Sequence, residues 1–237
     1  MLSDADLYRR GAATLLASWE EYARGASGAE VKRLSVVAAA VFPNEPERAV
    51  YNNALLERRE GIEAMEGLYA AAGVTRFAAW VHESDSALGA ELERRGYKLD
   101  TTTRAMGMLL DELRLPRPEI ELAPADWSEY LRILGVPDNF LSGADPSAYH
   151  ILIARVDGEN VAAGMAFDLD GDCGIYNVGT LEHARRRGLG TALTALLLHD
   201  ASERGCRTAS LQATAMAERM YAALGFRDLG RILEYVP

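Results

Sequence analysis

The chain has 237 residues, 49% hydrophobic and 25% charged, a balance that fits a globular protein with a buried core and argues against disorder. Its formal charge of −10 disfavours general affinity for nucleic acid or anionic membrane, since both call for a cationic surface. No apolar run approaches the roughly 20 residues of a spanning helix and the first residues carry no leader pattern, so a cytoplasmic protein acting on a small molecule or a basic group is expected.

In the first half, the stretch beginning at Val50 (VYNNALLERREGIEAMEGLYAAAGVTRFAAW) reads as strand, helix and strand, and ELERRGYKLD from Glu91 as a helix end, a Gly96-Tyr97 break and a strand. Residues 113–118 (LRLPRP) hold two prolines without periodic apolar spacing, which cannot continue a helix. A domain boundary is placed there, giving domains at 1–115 and 119–237. Residues 136–146 (VPDNFLSGADP) mix turn formers around Phe140 and Leu141 and read as an ordered loop.

Beyond that loop come HILIARV, NVAAGMAFDLD and CGIYNVGTL, separated by Asp157-Gly158 and Gly171-Asp172, which predicts three antiparallel strands joined by tight hairpins. Leu189, Ala192, Leu193, Leu196 and Leu197 then recur at helical spacing, with Gly205 placed as a cap, predicting a helix of about four turns. A strand at 207–214, a short helix at 216–224, a Gly225-Phe226 break and a strand near 231–236 complete the chain.

The two halves repeat this order. Tyr51 faces Tyr176, Gly73 faces Gly205, and Gly96-Tyr97 faces Gly225-Phe226. Between the paired tyrosine and glycine the second copy has seven extra residues, which the sequence assigns to a glycine-rich loop around 185–190.

That loop, TLEHARRRGLGT from Thr180, lies between a strand and a helix start. Unpaired amides at a helix start, with the positive end of its dipole behind them, form an anion site. Gly188 and Gly190 let an anion approach the backbone, and Arg185, Arg186 and Arg187 add charge that a pyrophosphate can use. The pattern is neither a Walker loop nor G-x-G-x-x-G. Three arginines at a helix start would otherwise be an unfavourable solvated face.

Here the sequence resembles the GNAT N-acetyltransferase superfamily. Arg185, Gly188 and Gly190 meet its R/Q-x-x-G-x-G/A signature, and Tyr221, Leu224, Gly225 and Phe226 supply its later Y-x-x-L-G-F. The likeness covers about 119–237 well and the first half only through the repeat. It implies an α/β (α+β) fold of two GNAT-like domains, each a mixed, mostly antiparallel sheet flanked by helices, the first a degenerate copy lacking the pyrophosphate loop. It implies acetyl-CoA as co-substrate, no metal, and N-acetylation of a primary amine, in the first place that of a small molecule. Val178, Gly179 and Thr180 correspond to the strand whose backbone pairs with the pantetheine arm and polarises the acetyl carbonyl. Arg186, Arg187, Gly188, Leu189, Gly190 and Thr191 correspond to the pyrophosphate-binding amides, with Arg185 opening the signature. Tyr221 corresponds to the acid that protonates the departing thiolate.

The departures are specific. An asparagine common seven residues before the tyrosine is Thr214 here, assigned to the cofactor arm. Glutamate bases found in some members are replaced by Ala209 and Ile175, and a proline common three residues before the signature arginine is Glu182. No base is named. Cys173 and Cys206 lack metal-ligand spacing and a histidine partner and read as reduced structural thiols, the four histidines form no metal motif, and His183 reads as solvated. Tyr51, Asn52 and Asn53, at the matching strand of the first half, read as structural. The rival reading is a non-catalytic acyl-CoA-binding or regulatory module, motivated by the missing base.

Overall fold

A capping box opens the first helix, α1 (Asp4–Arg24): the Asp6 amide donates to the Ser3 hydroxyl at 3.2 Å and the Ser3 amide to the Asp6 carboxylate at 2.9 Å. Leu7, Gly11, Thr14, Leu15, Ser18 and Trp19 recur along one stripe of it and are buried. The computed structural model describes residues 2–136 and 143–237, so the expected loop at 136–146, with Phe140 and Leu141, lies largely outside the described residues. After α1 come β1 (Glu30–Leu34), β2 (Val37–Val41), β3 (Asn53–Leu56), α2 (Gly61–Ala71), β4 (Ala78–His82), α3 (Ser86–Arg94) and β5 (Lys98–Leu109). The second half holds β6 (Leu122–Ala123), α4 (Trp127–Leu134), β7 (His150–Val156), β8 (Glu159–Leu169), β9 (Asp172–Thr180), α5 (Leu189–Glu203), β10 (Thr208–Ala213), α6 (Glu218–Leu224) and β11 (Arg227–Val236).

The repeat in the sequence is a repeat in space: β3-α2-β4-α3-β5 and β9-α5-β10-α6-β11 follow the same order. Each half begins that run with an antiparallel hairpin partner and then a parallel pair, β3 with β4 and β9 with β10. The last strands are exchanged. In the single sheet, ordered β1-β2-β3-β4-β11-β5-β10-β9-β8-β7-β6, β11 inserts between β4 and β5, and β5 inserts between β11 and β10. The two sheets expected from sequence are therefore joined into one, and the backbone groups of β5 and β11 are satisfied across the boundary between the halves.

Alternation along the strands sorts the layers. Val37, Ala39 and Val41 face α2 and α3 in one apolar cluster, whereas Ala40 and Phe42 face α1 in another. In the second half, α5 and α6 cover Ala166, Cys173, Ile175 and Leu211, while α1 and α4 cover Ile153, Ala163, Met165 and Tyr176 on the opposite side. Helix α1, from the first half, thus packs on strands of both. A buried network ties it down: the Asp172 carboxylate accepts hydrogen bonds from Thr14 (2.8 Å), Thr208 (2.6 Å) and Ser210 (2.7 Å).

Several predicted elements shift. The second hairpin turns on Asp170 and Gly171, both at positive φ, and Asp172 already belongs to β9. The last strand is longer than expected, starting at Arg227. The extra residues of the second copy do not all sit in its loop. That loop has eight residues (181–188) against four (57–60), and α5 has 15 residues against 11 for α2, about one helical turn more. Among the described residues no helix is long and apolar enough to cross a membrane.

Candidate active site

The site is built where β9 leaves β10. The parallel pairing runs only from Asp172 to Gly174 against Thr208 to Ser210, although β9 continues to Thr180 and β10 to Ala213. On its other edge β9 stays paired with β8 through Thr180, but with one irregularity: Met165 faces Tyr176 and Ala163 faces Gly179, so Asn177 and Val178 together oppose Gly164. This is a β-bulge, and Asn177 takes a φ of 49° within it. The bulge bends β9, leaving a wedge between it and β10 and an edge of Val178, Gly179 and Thr180 that no β10 backbone covers. Val178 turns toward α5, within van der Waals reach of the position a side chain at Gly190 would take. Gly179 lies under Leu134 of α4, whose Cδ2 would be 2.7 Å from a Cβ there.

The loop leaving Thr180 turns back on itself. Ala184 and Arg185 amides bond to the carbonyls of Leu181 and Glu182, and the Arg185 side chain donates to the Thr180 carbonyl at 3.2 Å. Arg185 therefore pins the loop to the strand end, while Arg186 takes a φ of 61° and Arg187 stands 3.9 Å from Asp157. Among the described residues neither Arg185 nor Arg186 has a carboxylate partner. Gly188 caps α5 at a φ of 79° without a side-chain bond to the helix, and open space lies over its Cα. The amides of Leu189, Gly190 and Thr191 stand in the first turn, where no intrahelical acceptor exists. Free amides, a helix dipole and uncommitted guanidinium charge fit a diphosphate at this end.

Tyr221 of α6 is 8% exposed, in the apolar cluster that contains Ile175 of β9 and Ala213 of β10. Burial pushes its phenol up to about 12, with a hydrogen bond to Thr194 of α5 partly offsetting this. The group stays protonated at neutral pH, the state a proton donor requires. Thr214, exposed at the end of β10, accepts the Ala217 and Glu218 amides through its carbonyl and so starts the turn into α6. Ala209 and Ile175 are buried. His183 is exposed, 3.3 Å from Glu159. Both cysteines are free and buried, and desolvation raises their thiols, Cys206 to about 11, which removes the thiolate a nucleophile needs. Among the described residues no group of three His, Cys, Asp or Glu could hold a metal ion.

Three residues near the wedge escape sequence reasoning. Asn177 was readable only as a strand residue, yet asparagine is a poor strand former that tolerates positive φ, which is the signal of a bulge. Tyr22 and Tyr130 come from α1 and α4, far apart in sequence, and no local pattern marks them.

The matching segment of the first half is closed. β3 pairs with β4 from Asn53 to Leu55, the Glu57 amide donates to the Val36 carbonyl, and a Cβ on Gly61 would sit 2.5 Å from that same oxygen. Asn52 is fully buried, accepting the Phe42 amide and donating to the Glu45 and Arg48 carbonyls.

Comparison with known proteins follows these features. The model of the acetyltransferase (GNAT) family matches residues 108–226. Among solved structures, a GCN5-related N-acetyltransferase from Kribbella flavida is similar at 19% identity, with 97% of this chain and 95% of that chain covered and a TM-score of 0.72. One from Sphaerobacter thermophilus is similar at 17% identity over 100% and 93% of the two chains, with a TM-score of 0.63. A tandem GNAT protein from the clavulanic acid biosynthesis pathway matches at 14% identity over 100% and 96%, with a TM-score of 0.61. No curated protein matches the sequence.

Proposed function

From the premise that this chain belongs to the GNAT acetyltransferase family, we propose that it transfers the acetyl group of acetyl-CoA to a primary amine of a small molecule, by direct attack in a ternary complex. The observation that carries this reading is the wedge between β9 and β10, with the free amides of Leu189 to Thr191 at its α5 end and the protonated Tyr221 phenol packed between α5 and the strands. Acetyl-CoA, when bound, supplies the activated acyl group. The chain's own groups do the rest. The amides from Arg186 to Thr191, supported by the arginine charge, hold the diphosphate. The uncovered edge of Val178, Gly179 and Thr180 gives preorganised donors for the acyl carbonyl oxygen, on which negative charge develops as the amine attacks. Tyr221 holds a proton at Oη for the departing sulfur, and Thr214 lies at the cofactor arm's side of the wedge. A covalent acyl-enzyme has no support, because both thiols are held neutral by burial.

Calorimetric titration with acetyl-CoA, followed by detection of free thiol across an amine panel, tests the reading. One binding site per chain and amine-dependent thiol release are expected. Binding without thiol release from any amine would instead favour a module that only holds acyl-CoA.

A further inference from the structure

Asn177 is held in a conformation that costs energy and that aims its side chain. Its φ of 49° lies in the left-handed region, which asparagine tolerates better than most residues but still at a cost, and such positions concentrate at functional sites. The bulge turns the carboxamide to the α1 and α4 face of β9, opposite the α5 loop and one residue before the uncovered edge at Val178. There its Nδ2 donates to the Tyr22 hydroxyl at 3.3 Å, and that hydroxyl in turn contacts the Met165 sulfur at 3.7 Å. The Tyr130 hydroxyl lies close by, 1% exposed and without a hydrogen-bond partner. Asn177 itself is exposed, and its Oδ1 has no partner among the described residues.

The acidic residues next to Tyr22 and Tyr130 in the chain are already committed. Glu21 is paired with Arg24, and Glu129 bonds to Arg132 at 2.8 Å and to Asn160 at 3.0 Å, which holds its carboxyl down at about 2. Among the described residues, an amine arriving here meets the neutral Asn177 Oδ1 and tyrosine hydroxyls rather than an unpaired carboxylate.

Resting on the acetyl-transfer reading above, we propose that Asn177 positions the acceptor amine, accepting its N–H at Oδ1, with Tyr22 of the first half fixing the carboxamide. Helix α1 therefore completes the site of the second half, and the acceptor is a monoamine rather than a polycation, since among the described residues no unpaired carboxylate of the cluster waits for a second positive charge. The buried Tyr130 hydroxyl is the remaining polar group of the cluster, placed to bond the carboxamide when it shifts on amine binding.

The test uses the full chain, acetyl-CoA, three monoamines (phenethylamine, glucosamine and glycinamide) and spermidine. At least one monoamine should outperform spermidine. Asn177→Gly, which suits the positive φ and leaves the bulge unstrained, should raise KM for that monoamine about tenfold while leaving the affinity for acetyl-CoA unchanged. Asn177→Asp, which keeps an acceptor oxygen, should recover part of the loss, and Tyr22→Phe should raise KM about threefold. A merely structural asparagine would leave KM unmoved in the glycine variant and change its melting temperature only. Spermidine accepted in preference to every monoamine, or KM indifferent to position 177, overturns the inference. Failure of the wild-type chain to bind acetyl-CoA, or binding without thiol release from any of the four amines, overturns the acetyl-transfer reading instead.

Discussion

The strand-loop-helix segments β3 to α2 and β9 to α5 start from the same pattern and end in different states. In the first, four loop residues bring Gly61 down on the Val36 carbonyl, and β3 stays zipped to β4. In the second, eight loop residues carry the chain clear of the sheet, Gly188 adopts positive φ, and the bulge at Asn177 and Val178 parts β9 from β10. The difference shows that an anion site at a helix start depends on what stands in front of the amides. In α2 the start is covered by the protein's own backbone, whereas in α5 no described residue beyond its chain neighbours comes within 4 Å of a Cβ placed on Gly188.

The two segments nevertheless belong to one sheet, and separating them should have the largest effect. A fragment of residues 119–237 loses β5 from between β10 and β11, and loses α1 from over Tyr176 and Asp172. Both strands would expose unpaired backbone and apolar faces. The fragment is expected to be insoluble or unfolded by circular dichroism. Co-expression with residues 1–115 should restore a folded complex that binds acetyl-CoA, and a stable, CoA-binding 119–237 fragment alone would contradict the exchange as a source of stability.

Next in size is the loop itself. Gly188→Asp sets a carboxylate in open space where the proposed function brings the diphosphate, so acetyl-CoA affinity should fall by about 100-fold or more. The fold should survive, because aspartate tolerates positive φ at a cost of about 1 kcal/mol. Gly188→Asn carries the same backbone strain without the charge and should lose much less affinity in the same titration. Equal losses would place the phosphate elsewhere.

Tyr221→Phe should leave acetyl-CoA affinity intact and lower turnover by about 100-fold when chemistry limits the rate. The pH dependence carries a sign. Because burial raises the phenol from its usual 10 to about 12, the donor form persists through pH 10 and is lost only as pH climbs toward 12. A loss of kcat centred below pH 10 that disappears in the phenylalanine variant would remove Tyr221 from the role of acid.

How much of this was legible follows from where the information sits. The hairpins, the long helix and the glycine-rich loop rest on local periodicity and turn residues, and β7 and α5 begin where the pattern placed them, β8 and β9 one residue earlier. The signature at Arg185, Gly188 and Gly190 marked the loop through its resemblance to the GNAT family. The exchange of β5 and β11 was not legible, because pairing partners are chosen by tertiary packing and leave no periodic trace. Nor was the Arg185 contact with the Thr180 carbonyl, which depends on how the loop folds back. The Tyr22, Tyr130 and Asn177 cluster joins residues up to 155 positions apart, which no single-window reading connects.

The smallest effects come from exchanging one methyl group between the two helix starts. Gly61→Ala places a Cβ 2.5 Å from the Val36 carbonyl oxygen, a backbone atom that cannot swing away, so the first half must shift and stability should drop by about 1–3 kcal/mol. The proposed function gives α2 no part in holding the cofactor, so acetyl-CoA affinity should be unchanged in the folded variant. Gly190→Ala is the mirror experiment. Its Cβ would meet the Met220 sulfur at 3.6 Å and Val178 Cγ1 at 3.9 Å, ordinary contacts, while alanine is the better helix former by about 1 kcal/mol. Thermal unfolding should therefore show no loss, or a small gain, of stability. Acetyl-CoA affinity should fall severalfold, since the methyl group stands beside the amides that approach the diphosphate. The two variants separate stability from binding in opposite directions, and a Gly61→Ala chain with weakened acetyl-CoA binding would show that the closed segment still takes part in the cofactor site.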